Sequence, residues 1–266
     1  MKIGVFDSGF GGLTVLRALL RHVPGADYAY LGDTARLPYG AKSQATVARY
    51  AASSARFLVE EEEAEFLVIA CNTASALALD AIRESVNVPV LGVVETGANA
   101  ADASSSTRDV LVIATAATVE SHAYAAACAT RKMRAIEKAC PLLVPLVEEG
   151  WTQHPVTDEV VRIYMGELME QARAEKLNAD TLVLACTHYP LLRETIERAV
   201  PQEVRVIDSA EVTAQQVAHR LEGAQENAGN PLVEFFATDS VTKFRDLGTR
   251  FLGQPIPAVR LVDLGG

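Results

Sequence analysis

Leu67-Val68-Ile69-Ala70-Cys71-Asn72-Thr73 and Leu182-Val183-Leu184-Ala185-Cys186-Thr187-His188 are one apolar run written twice, each ending on Ala-Cys before it turns polar. An unbroken apolar run of this length reads as a strand covered on both faces, which belongs to a parallel sheet and not to an alternating, half-wet one. The strands that open the two halves correspond as well. Residues 3–6 run into Asp7-Ser8 and residues 110–114 into Thr115, and Asp7 precedes Cys71 by 64 positions where Thr115 precedes Cys186 by 71. The echo predicts two related α/β halves.

Working outward, residues 66–70, 181–185 and 204–207 complete the clearest strands, 28–31 reads as another, and 232–237 and 258–262 as late ones. Helix-length stretches separate them. Residues 13–22 are amphipathic, and in 43–62 Val47, Ala51, Ser54 and Leu58 share one helical face before an acidic run ends the segment. A further amphipathic stretch follows Pro155, with Thr157 and Asp158 as start signals. The fold class expected is α/β with two parallel-sheet domains related by pseudo-symmetry, residues 1–95 plus 208–266 forming the first and 96–207 the second. The Ser- and Asp-rich stretch 102–109 is the expected crossing. Open parallel sheets bind ligands beyond the carboxyl ends of their strands, so facing halves bring both Ala-Cys ends into one cleft, an active site at the domain interface.

The chain has 266 residues, 49% of them hydrophobic, and a net charge of −10. That content supports a sizeable core, while the acidic balance speaks against nucleic acid or an anionic membrane surface as partner. No stretch reaches the roughly 18 apolar residues of a membrane span. The opening residues lack a basic segment followed by a long apolar one, so the expected location is cytoplasmic. In that reducing compartment Cys71, Cys128, Cys140 and Cys186 are expected to be free thiols.

A lone cytosolic cysteine is most often a small buried hydrophobe, which is the reading for Cys128 and Cys140. Cys71 and Cys186 depart from it because the same polar strand end occurs twice. A free thiol, with a pKa near ~8.5, serves either as acid or as base after modest tuning. Two thiols across one cleft therefore suit removal of a proton from one face of a carbon and delivery to the other. Asp7-Ser8-Gly9-Phe10-Gly11-Gly12 matches neither the dinucleotide fingerprint nor the P-loop; it reads as a tight turn or as a nest of N–H groups for a carboxylate. The loop 33–40 ends in Pro38-Tyr39-Gly40, a stiff wall for a cleft. His188, two residues beyond Cys186, is placed to tune that thiol or move protons.

Taken together, the segments 6–13, Gly32-Asp33-Thr34 through Pro38-Tyr39-Gly40, Ala70-Cys71-Asn72-Thr73, Val144-Pro145-Leu146-Val147-Glu148, Ala185-Cys186-Thr187-His188-Tyr189-Pro190 and Ile207-Asp208-Ser209 resemble the glutamate racemase family along nearly the whole chain. The resemblance implies two flavodoxin-like domains and a cofactor-independent interconversion of L- and D-glutamate, with no pyridoxal phosphate, metal or nucleotide. Cys71 is implied as the thiol that deprotonates D-glutamate and Cys186 as the one that deprotonates L-glutamate. Asp7 and His188 would assist them, and Glu148, not Glu149, would be the accompanying carboxylate. Substrate contacts are implied for Asp7, Ser8, Asp33, Pro38, Tyr39, Gly40, Asn72, Thr73, Thr115, Thr118, Thr187 and His188, with Ala114 standing where the family usually has Gly. A homodimer and a role in supplying D-glutamate for peptidoglycan are implied too. Because the sequence starts at the first strand, the N-terminal extension associated with activation by a cell-wall precursor is expected to be absent.

Three other readings stay open on the residues alone. An aspartate racemase would share the paired cysteines. A cysteine hydrolase would use Cys186 with His188 and an acid such as Asp208, and a non-catalytic module would close its two halves on an anion.

Overall fold

The computed structural model describes residues 1–221 and 231–265. In the first half, β1 (Lys2–Asp7), β2 (Asp27–Gly32), β3 (Phe66–Ile69) and β4 (Val90–Gly92) alternate with α1 (Leu13–His22), α2 (Gln44–Arg56), α3 (Asn72–Leu77), α4 (Leu79–Ser85) and α5 (Val93–Ser104). The second half repeats the scheme through β5 (Asp109–Ala114), α6 (Ala116–Glu120), α7 (Ala123–Ala129), β6 (Arg134–Ala139), α8 (Leu143–Glu148), α9 (Pro155–Ala174), β7 (Thr181–Ala185), α10 (Arg193–Ala199), β8 (Arg205–Asp208) and α11 (Ser209–Arg220). Then come β9 (Val233–Ala237), α12 (Val241–Leu252) and β10 (Arg260–Leu261).

The strands form two sheets, ordered β10-β9-β2-β1-β3-β4 and β6-β5-β7-β8, and every described pairing is parallel. The orders β2-β1-β3-β4 and β6-β5-β7-β8 match position for position. This is the flavodoxin-like winding, repeated. It explains the duplicated sequence, since β3 and β7 occupy the same place in their sheets and every residue of both is buried. Helices cover both faces, as parallel strands require.

Where expectation and structure differ, edges account for most of it. β6 was not expected because Arg134, Glu137 and Lys138 break its apolar pattern; as an outer strand it has a wet side that tolerates them. β4 is also an edge and only three residues long. β10, expected over 258–262, pairs only at Arg260 and Leu261, both exposed at the sheet margin. The crossing expected over 102–109 is shorter, because α5 runs on to Ser104. The turn that remains is held by Asp180, which accepts from Ser105 Oγ at 2.7 Å, Ser106 N–H at 2.7 Å and Thr107 N–H at 3.0 Å.

α11 returns to pack on α1 and α5, so the halves share a helical seam. Within it the hydroxyls of Thr96 and Thr213, both fully buried, meet at 2.6 Å. Among the described residues no helix is long and apolar enough to cross a membrane.

Candidate active site

The loops that follow β1, β2, β3, β5, β6 and β7 surround a cavity of about 320 Å³ between the two sheets. All six are carboxyl-end loops, the place open parallel sheets reserve for ligands, and the volume sits near the lower end of small-molecule sites, roughly 300 Å³ and up. Cys71 and Cys186 both line it, each about 95% buried. Cys128 and Cys140 do not line it; both are buried in apolar clusters. The larger groove beside α12, lined by Glu148, Lys243 and Arg250 among others, contains neither thiol.

Cys71 caps the N-terminus of α3, its Sγ accepting from Ala74 N–H at 3.4 Å and lying 3.4 Å from Ser8 Oγ. Burial pushes the Cys71 thiol up to about 12, and the nearby Asp7 carboxylate adds to the rise; Ser8 and the Ala74 amide pull the other way without overcoming it. Cys71 therefore rests as a thiol. Asp7 is 98% buried behind Ser8, and its Oδ2 accepts from Gly9 N–H at 2.9 Å. Burial also raises the Asp7 carboxyl, against the pull of the Gly12 amide and His188. Its Oδ1 has no partner meeting hydrogen-bond geometry among the described residues.

Cys186 has different company. His188 Nδ1 lies 3.9 Å from its Sγ, and His188 Nε2 lies 3.1 Å from Glu148 Oε1. Burial by itself would drive the imidazolium to lose its proton; the contacts with Cys186 and Glu148 outweigh it and hold His188 up to about 10. Burial is the largest single influence on Glu148 and raises it, but the hydrogen bond and charge of His188, together with Lys243, outweigh it and hold Glu148 below its ordinary value. The frame is symmetric and the chemistry on it is not: one thiol faces a carboxylate, the other an imidazolium. Glu149 has no such contact with His188.

The glycine turn after β1 proves to be a packing device. A Cβ on Gly11 would come within 2.1 Å of Thr187 Oγ1 and 2.7 Å of His188 Nδ1, so only glycine lets α1 approach the second half. That approach brings the Thr187 carbonyl within 3.1 Å of Thr14 Oγ1, which shares its one proton between it and the Gly11 carbonyl at 2.9 Å. The alternative of an anion nest is not realised at Gly9, whose N–H is taken by Asp7.

Ser8, Pro38, Tyr39, Gly40, Asn72, Thr73, Thr115, Glu148, Thr187 and His188 also line the cavity. Asp7, Asp33 and Thr118, expected as substrate contacts, do not; Asp7 lies behind Ser8, where its carboxylate acts on Cys71. Asp33 is fully buried beneath the wall, accepting from Tyr39 Oη at 2.5 Å, Arg36 Nε at 2.9 Å and Thr238 Oγ1 at 2.9 Å. Its acceptors are committed, so it stiffens the 33–40 loop instead. Thr118 is fully buried behind Thr73 and Thr115, and the three hydroxyls close a triangle of 3.0 to 3.3 Å that ties the start of α3 to the start of α6. Sequence reading missed the apolar lining from Leu37, Ala41, Ala116, Pro141, Val144 and Pro145. Of these only Leu37, Val144 and Pro145 lay in motifs that drew attention, and nothing in their residue type signals a ligand. Among the described residues there is no cluster of three or more His, Cys, Asp or Glu able to hold a metal.

The sequence profile of the family described as Asp/Glu/Hydantoin racemase matches residues 3–217. A glutamate racemase of Koribacter versatilis is 54% identical, the alignment covering 99% of this chain and 98% of that protein. The crystal structure of glutamate racemase from Thermus thermophilus in complex with β-chloro-D-alanine superposes with a TM-score of 0.86 at 45% identity, over 99% of this chain and 97% of the other. That of Francisella tularensis glutamate racemase in complex with D-glutamate gives 0.88 at 34% identity, with the same coverage.

Proposed function

The chain belongs to the Asp/Glu/Hydantoin racemase family, among the glutamate racemases, and from that premise we propose that it interconverts L- and D-glutamate with Cys186 and Cys71 as its two acid/base groups. The observation that carries the reading is that the two thiols enter one cavity from equivalent strand ends of two halves. A Cys186 thiolate, facing the His188 imidazolium, takes the Cα proton of L-glutamate. The electron pair left on Cα is delocalised into the α-carboxylate, and the Cys71 thiol delivers its proton to the opposite face. The products are D-glutamate, a Cys186 thiol and a Cys71 thiolate. The reverse reaction starts from that Cys71 thiolate.

From about 12, ionising Cys71 near pH 7 costs roughly 7 kcal/mol in the empty site, at ~1.36 kcal/mol per pKa unit. A substrate ammonium in the cavity offsets part of this by balancing the charge of the Asp7 carboxylate, which lies buried behind Ser8. Asn72, Thr73, Thr115 and Thr187 are proposed to hold the substrate's carboxylates, and the Tyr39 wall to exclude water.

Two thiols supply both acid and base, so the chemistry is proposed to need neither metal nor pyridoxal phosphate; activity that survives dialysis against chelator supports this. Residues 1–95 plus 208–266 and 96–207 are proposed as the two lobes that close on substrate. A cytoplasmic homodimer that supplies D-glutamate for peptidoglycan completes the reading. The decisive test is optical rotation of L- or D-glutamate, with aspartate in parallel. Wild-type protein should bring either glutamate enantiomer to the racemate, and Cys71→Ala and Cys186→Ala should each reduce the rate by at least about 10³-fold. Full racemisation by either variant overturns the two-thiol mechanism.

A further inference from the structure

We infer that Tyr124 is a positioning residue that sets the polarity of the Asn72 side-chain amide and so makes Asn72 an obligatory donor to a substrate carboxylate. The inference rests on the racemase reading and adds to it a residue outside the cavity, on the other half of the molecule.

Asn72 opens α3 directly after Cys71, lines the cavity and is 3% exposed. An amide carries an acceptor and a donor end of nearly equal size, and which end faces the ligand is decided by the hydrogen bonds around it. Tyr124 decides it here. Its hydroxyl donates to Asn72 Oδ1 at 2.6 Å, and the alternative acceptor, the Val93 carbonyl, is 3.4 Å away. The ring is fully buried on α7, and burial keeps the phenol protonated far into the alkaline range, so the hydroxyl always has a proton to give. Its place is set from behind by Gly97 on α5: a Cβ there would stand 3.0 Å from Tyr124 Cε1 and 3.1 Å from its hydroxyl.

The other end of the amide is the second observation. Asn72 Nδ2 is buried and has no hydrogen-bond partner among the described residues. A buried N–H₂ group left unpaired is costly, and with Oδ1 occupied the cost is relieved only by an acceptor in the cavity. An anionic carboxylate oxygen is the acceptor that pays best. A flipped amide would set Oδ1 against that carboxylate.

Tyr124→Phe removes the hydroxyl and keeps the ring. The expected result is a rise of roughly tenfold in KM for both enantiomers, the scale of one charge-assisted hydrogen bond, with kcat changed less. Because Tyr124 acts through Asn72, adding Tyr124→Phe to Asn72→Ala should change KM, or the Kd for D-glutamate by calorimetry, by less than twofold. A merely structural role gives additive losses in that cycle. Gly97→Ala, which crowds the ring without touching the cavity, should raise KM in the same sense and keeps the test open if Tyr124→Phe folds poorly. An unchanged KM in Tyr124→Phe, or additive losses, overturns the inference while wild-type racemisation stands. Absence of racemisation by wild-type protein is instead the failure of the underlying reading.

Discussion

Replacing Glu148 by Gln keeps the shape of the His188 partner and removes its charge. The rise of His188 from 6.5 to about 10 represents roughly 5 kcal/mol of preference for the imidazolium at ~1.36 kcal/mol per pKa unit. Two neighbours provide it against burial, Cys186 at 3.9 Å and Glu148 at 3.1 Å. Glu148→Gln removes one of the two groups that oppose burial, so His188 falls from about 10. At pH 6.5 the wild-type imidazolium is complete, and at pH 9 about nine molecules in ten still carry it. The variant loses its imidazolium earlier on that climb, so its kcat in the L-to-D direction should fall, relative to wild type, by about tenfold between these two pH values. The assay is initial-rate polarimetry of the two proteins side by side from pH 6 to 10. Enantiomers are equal in free energy in water, so kcat/KM must fall equally in both directions; the thiol-specific asymmetry appears only in kcat and KM taken separately. A variant-to-wild-type ratio of kcat that stays constant from pH 6.5 to 9 would refute the proposal that the Glu148 charge sustains the imidazolium.

The same pair makes a stability prediction. Folding raises the His188 pKa, so its contribution is complete below about pH 6.5 and is lost as pH rises toward 10, up to roughly 5 kcal/mol; thermal melts should show wild-type protein losing more stability across pH 7–10 than His188→Asn does, and parallel curves would count against the assignment. Gly11→Ala should leave a folded protein, destabilised by about 1–3 kcal/mol through overpacking, yet cut kcat by about 100-fold or more because the added carbon displaces Thr187 and His188; wild-type kinetics in that variant would mean the close approach is not needed. Alkylation of Cys71 by iodoacetamide, followed by peptide mass spectrometry, should accelerate steadily through pH 7–10 with no plateau, as a thiol raised to about 12 requires, and saturating D-glutamate should protect Cys71 and Cys186 but not Cys128 or Cys140. A plateau near neutral pH, or equal protection of all four, contradicts this.

What the sequence determined by itself is the frame and its reactive pair. β1, β3, β5 and β7 were legible because strands buried on both faces must be continuously apolar, and the repeated Ala-Cys ending placed two thiols at equivalent carboxyl ends. Edge strands β4 and β6 escaped because a strand with a wet side needs no such run. Beyond the frame, the sequence named residues without assigning their partners. Glu148 and His188 are 40 positions apart, Asn72 and Tyr124 52, and Thr14 and Thr187 173. Each contact exists only because docking of structural elements brings them together, and no local periodicity encodes docking. Asp33 and Thr118 look in sequence like ligand-binding residues and become internal supports once Tyr39, Arg36, Thr73 and Thr115 claim their polar atoms. The resemblance already paired Asp7 and His188 with their thiols, but tertiary structure alone decided that Asp7 raises Cys71 and that Glu148 helps hold His188 as an imidazolium, because burial and the nearest charge, not residue type, set the proton affinity of each group.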